Sequence, residues 1–264
     1  MKAMFGTLWR YRAFVMGSVK REFQNKYRNS MLGAAWVVLN PLAMILVYTL
    51  VLAGIMHARL SGATGRFAYS VYLCAGVLPW GLFTELSGRM QNVFIDNANL
   101  IKKLSFPRLC LPIIVTLSSL INFAIIFGLF LAFLLVSGHF PGFAFFGMFP
   151  LLAIELLFSI GLGVVIGVLN VFFRDVGQFY GIVLQFWFWL TPIVYVSNIL
   201  PASMKRFELL NPMAVLIEGY QQVFLRSVWP SWAHLWPIAA FSLALCALGL
   251  YLFRRHVGEM VDEL

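Results

Sequence analysis

Between Arg28 and Arg59 the chain carries no Asp, Glu, Lys or Arg, only the neutral His57, and the stretch between Arg66 and Glu85 is equally bare of charge. Runs like these choose the solvent before they choose the fold. A helix crossing a bilayer needs about 20 consecutive apolar residues, and in hydrocarbon every backbone group must find its partner inside the protein. The whole chain has this character. Of 264 residues, 61% are hydrophobic and 11% charged, where soluble domains carry roughly a quarter charged residues. The class is therefore an all-α polytopic membrane protein, with room for roughly five to seven spans. Cys74, Cys110 and Cys246 are scattered through apolar runs in no paired or metal-like spacing, and they read as small packing residues.

Six spans are expected, at about 33–56, 67–90, 111–136, 148–170, 176–196 and 235–253. Residues 1–32 lack the apolar core and cleavage site of a signal peptide. There Val15, Val19, Phe23 and Tyr27 recur every fourth residue among basic side chains, which predicts an amphipathic helix in the headgroup layer. In the fourth span Ser159, Gly163 and Gly167 recur at the same interval and predict a close helix–helix seam. Between spans five and six, two short amphipathic segments are expected, around Ile193 to Leu200 and from Pro212 to Arg226, with Pro201 and Asn211-Pro212 breaking the run. A short acidic tail, 256–264, follows the last span.

Asn92 to Arg108 is a polar interruption between two apolar runs, and it holds Asp96, Lys102, Lys103 and Arg108. Val93, Phe94, Leu100, Ile101 and Leu104 are spaced to give a short helix one apolar face, and Pro107 ends it. The segment reads as a helix projecting from the bilayer with that face free for a partner; an ordinary loop fits the same residues equally well. Orientation follows from the Lys and Arg residues. Seven precede span one, four lie between spans two and three, one follows span four and two follow span six. The opposite side holds two, none and three. The asymmetry places both termini and the polar segment in the cytoplasm, and it makes the positive charge an orienting and lipid-surface device rather than a nucleic-acid footprint.

Chemistry is harder to find. The ten acids form no close pair or metal-ligand cluster, and no G-x-x-x-x-G-K-[ST] loop is present. A membrane transferase would need acids to hold Mg²⁺ or to act as base, so an enzyme is not expected. Glu155 is the one ionisable residue well inside a span, a position that suggests function, although a hydrogen-bonded packing residue fits as well. Aromatic side chains are dense: Tyr180, Trp187 and Tyr195 fall on one side of span five, and Tyr48, Tyr72 and Trp80 lie in spans one and two. Sugar rings pack on such faces, so these six are candidates for lining a polysaccharide path. Packing or interface anchoring accounts for each ring taken singly.

Several short motifs stand in order along the chain. Tyr27-Arg28-Asn29-Ser30-Met31-Leu32-Gly33 is followed by Trp36 and Asn40-Pro41, and Leu100 to Pro107 reads LIKKLSFP. Leu169-Asn170 precedes Phe173-Arg174-Asp175, then come Thr191-Pro192 and Asn211-Pro212. Over essentially the whole chain this ordered set resembles the membrane subunit of ABC-2 type polysaccharide exporters, the permeases for O-antigen, capsule or teichoic acid, and within them the Gram-negative, A-band-like O-antigen group. The resemblance implies a homodimer of six-span subunits in the bacterial inner membrane, bound to two separately encoded ABC ATPase subunits that hold the ATP and Mg; this chain itself would carry no cofactor. It implies export of undecaprenyl-pyrophosphate-linked O-antigen from cytoplasm to periplasm, with capsule, teichoic acid, a drug or a lipid as the alternative cargo. Asp96, Asn97, Leu100, Ile101, Lys102 and Lys103 would form the coupling helix seated in the ATPase. Lys26, Arg28, Ser30 and Gly33 would meet the lipid pyrophosphate, which guanidinium grips well. The two short segments between spans five and six would be re-entrant gate helices. Glu155 has no counterpart in the pattern.

Overall fold

The computed structural model describes residues 11–27, 68–102, 108–196 and 208–264, together with five scattered helical positions between 35 and 47. Apart from those five positions, the expected first span, 33–56, therefore lies outside the described residues. Among those described, the regular structure is helical: α1 (Arg12–Tyr27), α2 (Ala68–Asp96), α3 (Ala98–Ile101), α4 (Cys110–Val136), a 3-10 segment (Gly142–Gly147), α5 (Met148–Phe172), α6 (Asp175–Leu190), α7 (Pro212–Arg226), α8 (Trp232–His256) and α9 (Glu259–Glu263). Three stretches are long and apolar enough to cross a membrane: Cys110–Val136, the run Gly142–Phe172 and Trp232–His256. The 29-residue α2 is longer than any of the other helices but carries Glu85, Arg89 and Asp96 in its second half.

The centre of the bundle is α5, packed between α2 and α8. Glycine makes this possible. A Cβ on Gly163 would lie 2.6 Å from Met90 Cβ, and one on Gly167 would lie 2.8 Å from the Met90 carbonyl oxygen. On the other face, a Cβ on Gly161 would lie 2.7 Å from the Cys246 amide nitrogen. The spacing of Gly163 and Gly167 in the sequence thus marks a true seam, in which small residues let backbones approach. Two apolar clusters fill the bundle. One, toward the 3-10 segment, contains Phe83, Phe130, Leu151, Phe158, Leu216 and Tyr220. The other, toward α3, contains Met90, Phe94, Ile101, Val168, Phe253 and Met260.

Local sequence sets the breaks. The helical part of the expected fifth span stops at Leu190, because Pro192 biases Thr191 out of the α region and Thr191 takes φ −106°, ψ 129°. Asn211 restarts the helix as an N-cap: its side chain accepts from the Met213 and Ala214 amides at 3.1 and 3.3 Å, with Pro212 in the first turn. At 15 residues and a rise of ~1.5 Å each, α7 extends about 22 Å, short of the ~30 Å hydrocarbon layer. It runs from the end of α6 to the 3-10 segment, where Pro230 Cδ would sit 2.8 Å from a Cβ on Gly147. This helix is the second of the two expected short segments; of the first, residues 193–196 are not helical and 197–200 fall outside the described residues.

Two expectations need correction. The polar interruption is not a helix of its own from Asn92: α2 continues unbroken to Asp96, and after a turn at Asn97 the four residues of α3 follow, with 103–107 outside the described residues. Its apolar face is also not free. Val93, Phe94 and Ile101 are buried in the α3-end cluster, because a chain with this much apolar surface buries the stripe against itself. In α1, likewise, Val15 and Val19 are buried on protein, with α1 packed along α4.

Candidate functional site

Two places concentrate polar groups in a chain that has few. The first is the end of the bundle where α2 gives way to α3. Ile101 anchors α3 in the cluster below it, while Asp96, Asn99 and Lys102 are exposed. Asn97 closes the turn by donating from Nδ2 to the Val93 carbonyl at 2.8 Å. The result is a small knob, apolar inside and charged outside, held rigidly at the tip of a long helix. Lys103 lies outside the described residues.

Behind the knob, Asn170 ties three helices together. Its Nδ2 donates to the Gln91 carbonyl at 3.2 Å and to Asn92 Oδ1 at 3.1 Å, both on α2, and its Oδ1 accepts the Gly177 amide of α6 at 2.9 Å. Gln91 Nε2 completes the knot by donating to the Gly177 carbonyl at 3.3 Å. The close approach depends on Gly177, where a Cβ would lie 2.8 Å from Asn170 Oδ1. On the other side of α2, Arg89 pairs with Glu22 of α1 and with Glu85 at 3.6 Å. Its Nη1 donates to Ser119 of α4 at 3.3 Å, and Asn122 Nδ2 donates to Glu85 Oε2 at 2.7 Å. The Glu85–Arg89 pair is legible as an i, i+4 spacing; the Glu22, Ser119 and Asn122 partners are not. Beside this network a cavity of about 480 Å³ separates α1 from α2 and α4, with Arg21, Glu22, Arg89 and Asp96 among its lining.

The second place is the seam between α2 and α6, closed at one end by α7. Five of the six candidate path residues come together there. Tyr180 is buried and donates to Ser87 Oγ at 2.7 Å. Trp187 lies with its ring centroid 6.4 Å from that of Trp80, and its Nε1 donates to Asn211 Oδ1 at 2.8 Å. Asn211 Nδ2 donates in turn to Thr191 Oγ1 at 3.0 Å. Tyr72 Oη donates to the Tyr195 carbonyl at 2.7 Å, and Tyr195 Oη to the Trp189 carbonyl at 3.0 Å. The hydroxyls of Tyr72, Tyr180 and Tyr195 and the Trp187 Nε1–H are thus bonded within the subunit, and the Trp80 and Trp187 rings meet edge to face. The outward side of α6 presents different residues, Phe179, Ile182, Phe186 and Trp189. Tyr48, Arg28, Ser30, Gly33 and the Lys26 side chain lie outside the described residues.

Among the described residues no group of three or more His, Cys, Asp or Glu side chains is placed to hold a metal.

The chain resembles known proteins over nearly all of its length. A family profile described as ABC-2 type transporter matches residues 15–225. A relative from Myxococcus xanthus, O-antigen export system permease protein RfbA, is 30% identical over 260 residues, covering 97% of each chain. A protein of the same name from Klebsiella pneumoniae is 28% identical over 236 residues, 89% of this chain and 88% of its own. The polysialic acid transport protein KpsM of Escherichia coli is 22% identical over 244 residues, 92% of this chain and 93% of its own.

Proposed function

The chain belongs to the ABC-2 type transporter family, and on that footing we propose that it is the permease of an ATP-driven exporter that moves lipid-linked O-antigen polysaccharide across the cytoplasmic membrane. Members of the family are membrane subunits that work with an ATPase partner. The observation that carries the cargo is the 30% identity, over 97% of both chains, to a relative named as an O-antigen export permease. A capsular polymer is the second reading, favoured by the more distant likeness to a polysialic acid transporter.

In this reading the protein is a homodimer of six-span subunits with both termini in the cytoplasm, and two ATPases bind the knob formed by Asp96, Asn97, Leu100, Ile101, Lys102 and Lys103. Two features of the knob support that role. The side chains of Asp96 and Lys102 are exposed, and Ile101 is rooted in the bundle, so a force on it is carried into α2. The lipid pyrophosphate would enter beside Lys26, Arg28, Ser30 and Gly33. The polymer would pass along Tyr48, Tyr72, Trp80, Tyr180, Trp187 and Tyr195, of which the described five are held within the subunit along α2 and α6, as in a closed path. The 3-10 end would face the periplasm, with α7 as its closure.

The experiment is deletion of the gene followed by staining of surface polysaccharide. The expected result is loss of the long-chain O-antigen with its lipid-linked precursor retained inside the cell. Undiminished surface O-antigen would reject the cargo, and loss of capsule instead would select the second reading.

A further inference from the structure

Glu155 lies in α5 about two turns from the 3-10 segment and is fully buried, at 0% exposure. Its partner is not a base but a phenol: Tyr220 of α7, itself fully buried, donates from Oη to Glu155 Oε2 at 2.8 Å. The other carboxyl oxygen, Oε1, has no hydrogen-bond partner. Nearby Ser159 does not help, because its hydroxyl donates to the Glu155 backbone carbonyl at 2.7 Å.

The fastenings of α7 are unequal. Its N-terminal end is held to α6 and the residues after it by Asn211, through Trp187 and Thr191, and Gln221 Nε2 donates to the Pro192 carbonyl at 3.3 Å. Toward α2 the contact is tight, since a Cβ on Gly76 would lie 3.2 Å from both Gln221 and Ile193. Toward α5 the contact is apolar, with Leu151 filling the space where Gly219 lacks a side chain, and the Glu155–Tyr220 bond crosses it. We propose that Glu155 is a positioning residue that latches the short helix α7 to α5, and that this latch is released when the path opens on the 3-10 side. The inference rests on the reading of α7 as the closure of that side. Releasing the bond leaves a fully buried carboxyl with no second donor among the described residues, a cost that adds to that of parting the apolar surfaces. The closed arrangement is therefore the resting one.

The test uses cysteine labelling in the complete transporter, in spheroplasts, with Cys74, Cys110 and Cys246 replaced by alanine and a membrane-impermeant thiol reagent outside. Leu151→Cys places the thiol on α5 under Gly219, and Glu218→Cys places one on the exposed side of α7. The Leu151→Cys thiol should react slowly with Glu155 intact. It should react about tenfold faster when Glu155→Leu or Tyr220→Phe is added, and slowly again with Glu155→Gln, which keeps an acceptor for the phenol. Tyr220→Phe removes only the hydroxyl, so the comparison survives if Glu155→Leu does not assemble. Equal labelling in all four backgrounds, with the Glu218→Cys thiol reactive, would overturn the latch. A Glu218→Cys thiol that never reacts from outside would instead overturn the reading of α7 as an outward closure.

Discussion

Replacing Asn170 with leucine is expected to lower the melting temperature of the purified protein by on the order of 10 °C. Leucine keeps the same branched skeleton with bulkier tips, so no cavity is left. What disappears is the set of bonds to the Gln91 carbonyl, Asn92 Oδ1 and the Gly177 amide, at 3.2, 3.1 and 2.9 Å. Asn170 is only 2% exposed, so water cannot readily replace it. At about 1 kcal/mol or more for each buried group left unmet, the total reaches about 3 kcal/mol, and each kcal/mol moves the midpoint of a chain this long by about 2–4 °C. Gln178→Leu, on the exposed side of the next helix, provides the control and should change the stability by less than about 1 kcal/mol. Thermal melts in detergent decide the matter: equal shifts for the two variants would mean that the knot does not hold α2, α5 and α6 together.

The double charge reversal Lys102→Glu and Lys103→Glu should leave the fold intact and cut ATP-driven export by about tenfold or more. Lys102 is exposed at the tip of α2–α3, where it touches none of the buried clusters, so stability has little reason to change. An interface that has evolved to meet a basic knob is instead faced with an acidic one, and like charges juxtaposed across a contact cost several kcal/mol. Co-purification of the ATPase subunits with the variant, alongside export measured in cells, checks this. Normal assembly with normal export would remove the knob from the coupling path.

How far the sequence was legible can be judged from particular residues. The three long apolar stretches Cys110–Val136, Gly142–Phe172 and Trp232–His256, the Gly163–Gly167 seam and the short helix from Pro212 follow from hydropathy, four-residue spacing and proline chemistry, all local signals. What stays hidden is which polar residue meets which, since those pairs are set by packing between helices distant in sequence. Glu155 is visible as a misplaced carboxyl, but nothing near it in sequence points to Tyr220, 65 residues on. Arg89 is visible as half of a pair with Glu85, but its partner Glu22 lies 67 residues earlier. The motif residues are an instructive middle case. Asn170, Thr191 and Asn211 carried the family resemblance, and each has a physical role in the fold. The first joins three helices, and the other two bond to each other at the break between α6 and α7. The apolar face of the α3 segment misleads for a related reason. A stripe reads the same whether it will meet a partner or the chain's own core, and here the core takes it.

The account's central claim is that this chain has no engine of its own and is driven through the tip of α2. Reconstituting it in sealed vesicles, alone and with its ATPase partner, and following a lipid-linked O-antigen from one leaflet to the other, tests that claim most directly. The account predicts ATP-dependent movement only when both proteins are present, abolished by Lys102→Glu with Lys103→Glu. Vigorous energy-dependent movement by this chain alone would contradict it.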